Sequence, residues 1–351
     1  MKLVFIYGGK SEEHDISLLS SFSVLKEINY DCYEVQLVFI ARNGQWVMGP
    51  MIHEAPTAQS QLDLSYEGHP TEGWQGQKMM PSDIYDPKAV IFPLLHGPNG
   101  EDGTIQGFFE MMNMPYVGAG VLASACGMDK IMTKYILSQA GIPQLPFVPV
   151  STLDWQKQDE VIARCEEKMD YPMFIKPANL GSSVGISKAD NQAELKAGIQ
   201  EAFRYDRRVV VEQGIQAREI EVAVLGNDDP QTTLPGEIVK TVDFYDFDAK
   251  YINNDVKLQI PANLPADLQE KARQYARKAY MVLDCSGLTR CDLFLTADNQ
   301  LYINEVNTMP GFTPFSMYPL LWENMGLPYG ELIEKLIQLA IERHEAKQAL
   351  I

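Results

Sequence analysis

Hydrophobic residues occur in compact runs separated by polar, helix-like segments over the N-terminal third of the chain. Residues 2–9 (KLVFIYGG) form an apolar run that ends in a glycine turn, and residues 11–28 follow with helical spacing. Ser11 is placed to cap that helix, with acidic residues in its first turn. The apolar runs 33–41 and 89–97 predict strands that a parallel sheet buries on both faces. This β-α-β opening predicts a doubly wound α/β domain.

The rest of the chain predicts two further units with both helices and strands. Residues 50–87, rich in Gly, Pro, Ser and Gln, predict surface loops. Beyond them, apolar strands at 171–177 and 208–215 enclose a helical pattern at 192–203. A third unit is predicted from strands at 218–226 and 234–241, a helix at 266–283, strands at 288–298 and 300–308 with a turn at Asn299, and a helix at 331–347. We therefore expect domains at 1–128, 129–218 and 219–351.

Composition and charge exclude several classes of protein. A chain of 351 residues is too long for one ordinary core, and a net charge of −18 argues against a broad nucleic-acid or anionic-membrane surface. A local basic pocket stays possible, and Lys130, Lys176, Lys250 and Arg290 could supply it. The N-terminal apolar run is too short for a signal peptide, and no apolar run reaches a membrane span. The five cysteines show no CxxC spacing, so we expect thiols in the cytoplasm.

The segment 175–189 (IKPANLGSSVGISKA) combines an apolar strand, a cation and a glycine–serine loop. Glycines allow backbone N–H groups to turn toward a ligand, and serines add hydroxyl donors, so the loop suits an anion such as phosphate. It is not the Walker pattern, because Lys176 precedes the glycines instead of following them. A plain polar hairpin loop is the alternative.

The last predicted hairpin carries oxygen ligands beside a guanidinium. Strand alternation places Arg290 and Asp292 on one face, and Glu305 and Asn307 on one face of the partner strand. Two carboxylates and an amide suit Mg²⁺, which waters and nucleotide phosphates normally complete. The alternative is a solvated face with salt bridges. The intervening apolar residues and the Asn–Thr–Met–Pro–Gly loop that follows argue against a solvated face.

These segments resemble the signature segments of the ATP-grasp enzymes and, within them, the D-alanine–D-alanine ligases. The resemblance extends to residues 8–18, 96–110 and 244–251, and it covers essentially the whole chain in the right order. It implies an α/β protein with the ATP-grasp fold, in which a doubly wound parallel-sheet domain precedes two α+β domains that grip the nucleotide. Its implied reaction is ATP-dependent ligation of two D-alanines through an acyl phosphate, for peptidoglycan precursor synthesis.

The resemblance also implies an ATP site between the middle unit and the C-terminal sheet. The residues that match its nucleotide contacts are Lys130, Lys176, Ser183, Glu212, Ile215, Glu219, Phe244 and Lys250. Many relatives carry a bulky aromatic residue in the adenine hinge, whereas this chain has Gly214 at that position. Each lysine could instead be an ordinary surface charge. Two Mg²⁺ (or Mn²⁺) ions are implied, with Asp292 and Asn307 each favouring one ion and Glu305 bridging both.

The resemblance assigns the reacting and substrate-binding groups as well. The implied catalytic residues are Glu13, Ser182, Tyr251, Arg290 and Gly311, and the implied substrate-binding residues are His96, Ser316 and Met317. Glu13 could instead balance a helix dipole, and His96 could be a capping histidine. In the family Ser182 and Tyr251 join Glu13 in a hydrogen-bonded set that closes over the intermediate. Met317 stands where many relatives have leucine.

Several alternatives stay open within this resemblance. A tyrosine at position 251 favours the dipeptide, because ester-forming relatives tend to carry phenylalanine there. D-alanine–D-lactate or D-alanine–D-serine ligation, or an ATP-binding regulator without turnover, are the other functions considered. The small-molecule partners are D-alanine and ATP, and neither a nucleic acid nor a membrane is expected. A homodimer is expected only because relatives are often dimeric.

Overall fold

The computed structural model describes residues 1–181, 184–239 and 257–350. Its strands are β1 (Lys2–Gly8), β2 (Glu34–Ile40), β3 (Trp46–Ile52), β4 (Gln77–Met79), β5 (Val90–Leu94), β6 (Phe147–Ser151), β7 (Met173–Pro177), β8 (Ser187–Ala189), β9 (Arg208–Gln213), β10 (Arg218–Gly226), β11 (Gln231–Thr232), β12 (Gly236–Val239), β13 (Lys257–Gln259), β14 (Gly287–Leu295) and β15 (Leu301–Asn307). The α-helices are α1 (His14–Glu27), α2 (Thr104–Met111), α3 (Val121–Met128), α4 (Lys130–Gln139), α5 (Gln158–Lys168), α6 (Gln192–Ala202), α7 (Ala266–Val282), α8 (Met317–Asn324) and α9 (Tyr329–Gln348). Short 3-10 segments lie at Gln59–Leu62, Pro81–Ile84 and Asp154–Lys157.

The N-terminal sheet has the strand order β4-β3-β2-β1-β5. Strands β2 and β5 run parallel to β1, whereas β3 and β4 extend the sheet antiparallel. Alternate residues of β1 enter two cores: Phe5 packs with Leu25 of α1 on one face, and Ile6 packs with Phe109 of α2 on the other. The predicted doubly wound arrangement is therefore confirmed. Residues 50–87 were expected to be loops only, which is wrong at β3 and β4.

The middle sheet has the order β6-β9-β7-β8 and is antiparallel throughout. One face is covered by α5 and α6, whose Val161 and Ile199 pack against strand residues such as Val211. The alternate residues of these strands, among them Lys176 and Glu212, point to the other face of the sheet, which lies toward α4. This second face carries only a small apolar cluster, formed by Ile131, Phe147, Ala178 and Val210, beside its charged groups, so those groups are available for a site.

The C-terminal sheet has the order β13-β12-β10-β14-β15, with β11 paired to β10. One face packs on α7 through a continuous apolar core that includes Val222, Cys291 and Val306. A β-bulge follows Asp292, which pairs with Glu305 while Leu293 pairs with Ile303. The extra residue in β15 moves Glu305 onto the face opposite Ile303, so that Ile303 stays in the core. Strict alternation would have put Ile303 and Glu305 on one face.

The start of α1 differs from the sequence expectation. The helix begins at His14 with Glu13 at the N-cap position, so Ser11 is not its cap. The Ser11 hydroxyl instead donates to the carbonyl oxygen of His96 at 2.6 Å, which ties the loop after β1 to the loop after β5. Both loops lie at the carboxyl ends of neighbouring parallel strands, where α/β sheets place their ligand sites.

Candidate active site

Two lysines of α4 lie one helical turn apart and face the middle sheet. Helix α4 begins at Lys130, and the carboxylate of Asp129 caps it by accepting from the backbone N–H groups of Ile131 and Met132, each at 3.1 Å. Lys134 follows four residues after Lys130, which puts both on the same helix face. The Lys134 side chain is only 3% exposed.

Glu212 of β9 is a buried carboxylate shared by two lysines. Its Oε1 lies 3.0 Å from Nζ of Lys134, and its Oε2 lies 2.7 Å from Nζ of Lys176. Burial would raise the pKa of Glu212, but the two ammonium groups lower it to about 2. Burial would likewise lower the pKa of Lys176, but the Glu212 carboxylate raises it above its ordinary value. Glu212 and Lys176 are therefore charged near neutral pH.

Lys130, Lys134 and Lys176 together form what we call the lysine cluster. Two of them, Lys130 and Lys176, connect it to neighbouring segments. Nζ of Lys130 donates to the carbonyl oxygen of Leu180 at 2.5 Å, at the start of the glycine–serine segment. Burial lowers the pKa of Lys130, an effect that the negative charge of Glu305 opposes. Nζ of Lys176 lies 3.4 Å from Oδ1 of Asn304, the residue inserted at the bulge of β15. The middle sheet and the C-terminal sheet thus meet at the lysine cluster.

Arg290 of β14 is held between two carboxylates. Its Nε and Nη2 donate to the two oxygens of Asp292, each at 2.7 Å, and its Nε lies 3.1 Å from Oε2 of Glu221 on β10. Burial would lower the pKa of Arg290, but Asp292 and Glu221 raise it well above its usual range. Asn307 donates from Nδ2 to Asp292 at 3.0 Å. The register pairs Arg290 with Asn307 and Asp292 with Glu305, so the predicted polar face is present.

The loops after β1 and β5 supply a second group of polar residues. A Cβ on Gly97 would lie 2.8 Å from Oε2 of Glu13, and a Cβ on Gly181 would lie 3.4 Å from it. The Glu13 carboxylate therefore reaches the start of the glycine–serine segment. Burial would lower the pKa of His96, but Glu101, whose Oε1 lies 3.8 Å from Nδ1, raises it above its ordinary value.

The loop before α8 brings Gly311 beside Ser316. A Cβ on Gly311 would lie 3.1 Å from Oγ of Ser316, and that hydroxyl accepts from the backbone N–H of Thr313 at 3.0 Å. Met317 begins α8 with its side chain 4% exposed, packed in the apolar core and against Gly236. Its side chain does not face the polar groups, so a substrate contact at this position is left to the backbone.

The predicted adenine hinge, residues 212–219, lies between the middle and C-terminal sheets. Ile215 is half-buried in the connection from β9 to β10, and Glu219 is half-buried on β10 opposite Phe294. A Cβ on Gly214 would lie 2.7 Å from the carbonyl oxygen of Pro172 and 3.1 Å from the Phe174 ring. The predicted residues Ser182, Ser183, Phe244, Lys250 and Tyr251 lie outside the described residues.

Sequence reasoning missed three side chains of this region: Lys134, Glu221 and Glu101. Lys134 had a usable signal, its i, i+4 spacing from Lys130. Glu221 shares a strand face with Glu219 by alternation, but its contact with Arg290 depends on the pairing of β10 with β14, which the sequence does not show. For Glu101 the acidic, glycine-rich loop gave no indication that its carboxylate would turn back to His96.

The donor chemistry of the polar face fits magnesium. Asp292, Glu305 and Asn307 lie on one face of two neighbouring strands, and their oxygens are of the kind that this ion binds. Because the set contains two carboxylates and one amide, phosphates and water must complete any coordination there. Among the described residues, no three carboxylate, imidazole or thiol groups converge on one point, at this face or at any other place.

Known proteins resemble this chain along its whole length. Residues 2–119 match the family described as D-ala D-ala ligase N-terminus, and residues 136–338 match D-ala D-ala ligase C-terminus. A D-alanine–D-alanine ligase of Enterococcus faecalis is 62% identical over 346 residues, which is 98% of this chain and 99% of the relative.

Solved structures agree with the sequence comparison. The D-alanine-D-alanine ligase from Coxiella burnetii has a TM-score of 0.82 at 34% identity, covering 100% of this chain and 98% of that one. The VanG D-Ala:D-Ser ligase from Enterococcus faecalis has a TM-score of 0.84 at 33% identity, covering 97% and 99%. The predicted ATP-grasp fold is confirmed. None of the described helices is both long and apolar enough to cross a bilayer.

Proposed function

The chain belongs to the D-alanine–D-alanine ligase family, and we propose how its own residues carry out the family reaction. It is an ATP-dependent, ADP-forming ligase that joins two D-alanines into D-alanyl-D-alanine for peptidoglycan precursor synthesis. The observation that carries the residue assignment is the meeting of the buried lysine cluster with the polar face of β14 and β15 through Lys176 and Asn304. Cationic and oxygen-donor groups are thereby gathered at one place.

The first step transfers the terminal phosphoryl group of ATP to the carboxylate of the first D-alanine. One P–O bond to ADP breaks, and a bond from phosphorus to the carboxylate oxygen forms, giving an acyl phosphate. Negative charge concentrates on the transferring group, so the site requires fixed cations. Lys130 and Lys176 hold the nucleotide phosphates in this proposal, and Arg290 neutralises the transferring phosphoryl group.

The second step joins the two amino acids. The neutral amine of the second D-alanine attacks the acyl carbon and forms the C–N bond. Collapse of the tetrahedral intermediate then breaks the C–O bond to phosphorus and releases inorganic phosphate. Arg290 and the backbone N–H of Gly311 are proposed to stabilise the oxyanion, because backbone donors can do so without a side chain. The attacking nitrogen loses one proton as the amide forms, and the released phosphate or solvent takes it up. Water must be kept from the acyl phosphate until then, because it would hydrolyse that intermediate.

Magnesium or manganese belongs to this proposal through Asp292, Glu305 and Asn307. Divalent ions bound there supply positive charge that neutralises the triphosphate of the substrate. We assign Asp292 and Asn307 to one ion each and Glu305 to both. Arg290 already holds Asp292 by two hydrogen bonds, which fixes the orientation of that carboxylate before any ligand binds.

Substrate binding is assigned to the loops that meet near Glu13. We propose that the Glu13 carboxylate binds the ammonium group of the first D-alanine, and that Ser316 and the backbone at Met317 bind the carboxylate of the second. His96 is proposed to line the second site. Glu212, Ile215 and Glu219 are assigned to the adenine and ribose. Ser182, Ser183, Phe244, Lys250 and Tyr251 keep their predicted roles as proposals.

A D-alanine–D-serine ligase is the second candidate, favoured by the similarity to the VanG D-Ala:D-Ser ligase. The sequence identity to D-alanine–D-alanine ligases is higher than that to the VanG ligase, so D-serine ligation is the less favoured of the two reactions. The test is phosphate release with MgATP and D-alanine alone, or with D-serine or D-lactate added, and identification of products by mass spectrometry. D-alanyl-D-alanine as the main product supports the proposal. A main product that contains serine or lactate, or ATP hydrolysis without ligation, contradicts it.

Assembly, location and domain limits complete the proposal. We propose a homodimer, cytoplasmic location and domains at 1–128, 129–218 and 219–351, as expected from the sequence. Sedimentation of the purified full chain would test the dimer, and a single monomeric species across the working concentration range would contradict it.

A further inference from the structure

Lys134 is a buried cation that the proposed reaction does not use. Its ammonium lies 3.0 Å from Glu212 Oε1 and 5.3 Å from the centre of the Phe147 ring, the cross-strand neighbour of Glu212. Its side chain is 3% exposed, compared with 13% for Lys176. Lys134 is therefore enclosed by protein groups, and any effect that it has on a nucleotide must pass through Glu212.

The charges of the three groups show what Lys134 contributes. Glu212 alone would cancel the charge of Lys176, because one carboxylate and one ammonium form a neutral buried pair. With Lys134 on the other carboxylate oxygen, the group Lys134–Glu212–Lys176 carries one net positive charge. Sharing the carboxylate also weakens the hold of Glu212 on Lys176, which keeps donors of the Lys176 ammonium available for a phosphate.

We propose that Lys134 is a positioning residue that keeps Lys176 competent to bind nucleotide phosphates by neutralising Glu212 from the opposite side. This inference rests on the proposed placement of ATP at Lys130 and Lys176. Because Lys134 and Lys176 hold both carboxylate oxygens of Glu212, the proposed place of this residue in the adenine hinge falls to its backbone, which Glu212→Gln retains, and its side chain sets the charge beside the phosphates.

The inference predicts a specific charge dependence. Lys134→Met leaves Lys176 and Glu212 as a neutral pair, so nucleotide affinity should fall. Lys134→Met combined with Glu212→Gln leaves the charge of Lys176 uncancelled and restores one net positive charge. A purely structural role of Lys134 would make the double variant no better than the single one, because both lack the same packing and ion pair.

The experiment measures Kd for ADP with magnesium by calorimetry, and KM for ATP and kcat in the ligation assay. Lys134→Met should raise Kd and KM about tenfold, equivalent to about 1.4 kcal/mol, while kcat changes about twofold or less. The double variant should recover ADP affinity to within about threefold of wild type. Lys134→Arg should bind ADP nearly as well as wild type. Lys157→Met, at a lysine whose side chain is 70% exposed, is the matched control and should change nothing.

The outcomes separate this inference from the proposed function. Unchanged ADP affinity in Lys134→Met, or a double variant as weak as the single one, overturns the role of Lys134. If Lys134→Met does not fold, the double variant carries the test, and a folded double variant that binds ADP about tenfold more weakly than wild type overturns the inference. A wild-type protein that binds ADP without ligating D-alanine contradicts the proposed function alone, and one that binds no ADP contradicts both.

Discussion

Arg290 is the residue whose surroundings most clearly indicate a fixed charge. Two hydrogen bonds to Asp292 and the nearby Glu221 carboxylate hold the guanidinium in place on a sheet. A cation held this way needs little reorganisation when negative charge develops beside it. Strand alternation was enough to predict that Arg290 and Asp292 share a face. The Glu221 contact was not predicted, because it depends on the register between β10 and β14.

Replacing Arg290 should separate catalysis from nucleotide binding. Arg290→Ala should lower kcat by about 100-fold or more, in line with the loss of one preorganised donor, while Kd for ADP changes little. Arg290→Lys keeps the charge but not the paired hydrogen bonds, so it should retain more activity. Arg204→Ala, at an arginine whose side chain is 71% exposed, is the control. A folded Arg290→Ala enzyme with near-normal kcat would show that the guanidinium does not stabilise the transferring group.

Glu212 makes stability depend on pH in a defined direction. Its pKa is about 2 in the folded protein and 4.5 in the unfolded reference, so the charged carboxylate stabilises the fold above about pH 4.5. That contribution, on the order of 3 kcal/mol at neutral pH, is lost as pH falls from about 5 toward 2. Glu212→Gln removes it. The variant should therefore melt well below wild type at pH 7, with a gap that narrows as pH falls.

Melting temperatures of both proteins at several pH values between 7 and 3 would test this directly. Glu160→Gln, in an exposed ion pair with Lys157, provides the control and should follow the wild-type curve. A gap between wild type and Glu212→Gln that stayed constant over this range would mean that the carboxylate is not held charged by Lys134 and Lys176.

At the scale of elements, the β-bulge in β15 decides which residues reach the site. The inserted residue lets Ile303 and Val306 remain in one core while Glu305 lies close enough to Lys130 and Lys176 to affect their pKa values, and Asn307 donates to Asp292. The sequence shows the apolar and polar residues but not the bulge, because periodicity assumes an uninterrupted strand. Helices α3, α5 and α8 were also missed, whereas the long, strongly patterned helices α7 and α9 were predicted within a few residues.

Two helical glycines offer a matched test of how α6 packs on the strand that carries Lys176. A Cβ on Gly107 of α2 would meet nothing within 4 Å, so Gly107→Ala should stabilise the protein by about 0.5–1 kcal/mol through helix propensity. A Cβ on Gly198 of α6 would lie 2.6 Å from Oγ of Ser187 and 2.9 Å from Cδ1 of Ile175. Gly198→Ala should therefore destabilise it by about 1–3 kcal/mol.

Melting temperatures of the two alanine variants against wild type give the comparison. Opposite signs are expected, because the same helix propensity is gained in both while only Gly198 lies against a packed strand. Stabilisation of both variants to the same extent would mean that α6 can move away from β7 and β8 without loss.

At the scale of the whole molecule, the C-terminal helix packs against the N-terminal sheet. Helix α9 enters the core of the N-terminal sheet through residues such as Leu336, and Arg343 donates to Ser286 Oγ at 2.6 Å and to the carbonyl oxygen of Tyr116 at 3.0 Å. Its amphipathic pattern predicted the helix but not the elements that it packs against, because the contacting residues lie far apart in sequence. The Lys134–Glu212 contact was hidden for the same reason, although both residues belong to clear elements.

Nucleotide binding should stabilise the whole molecule, because the proposed site gathers groups from two sheets. A ligand that binds only the folded state adds about 2.7 kcal/mol when its concentration is about 100 times Kd. For a chain of this length that corresponds to a rise in Tm of a few degrees. The net charge of −18 works against binding of an anion, so the local lysines must supply the attraction.

Lys176→Met should reduce this stabilisation at the same ADP concentration, to about 1.4 kcal/mol if Kd rises about tenfold. The measurement is Tm with and without magnesium and ADP, for wild type, Lys176→Met and the surface control Lys196→Met. Lowering ADP stepwise should remove the wild-type gain logarithmically, since the linkage term follows the ratio of ligand concentration to Kd. An equal gain in wild type and Lys176→Met at every concentration would place the nucleotide away from the lysine cluster, and the charge of Lys134 would then have no phosphate to act on.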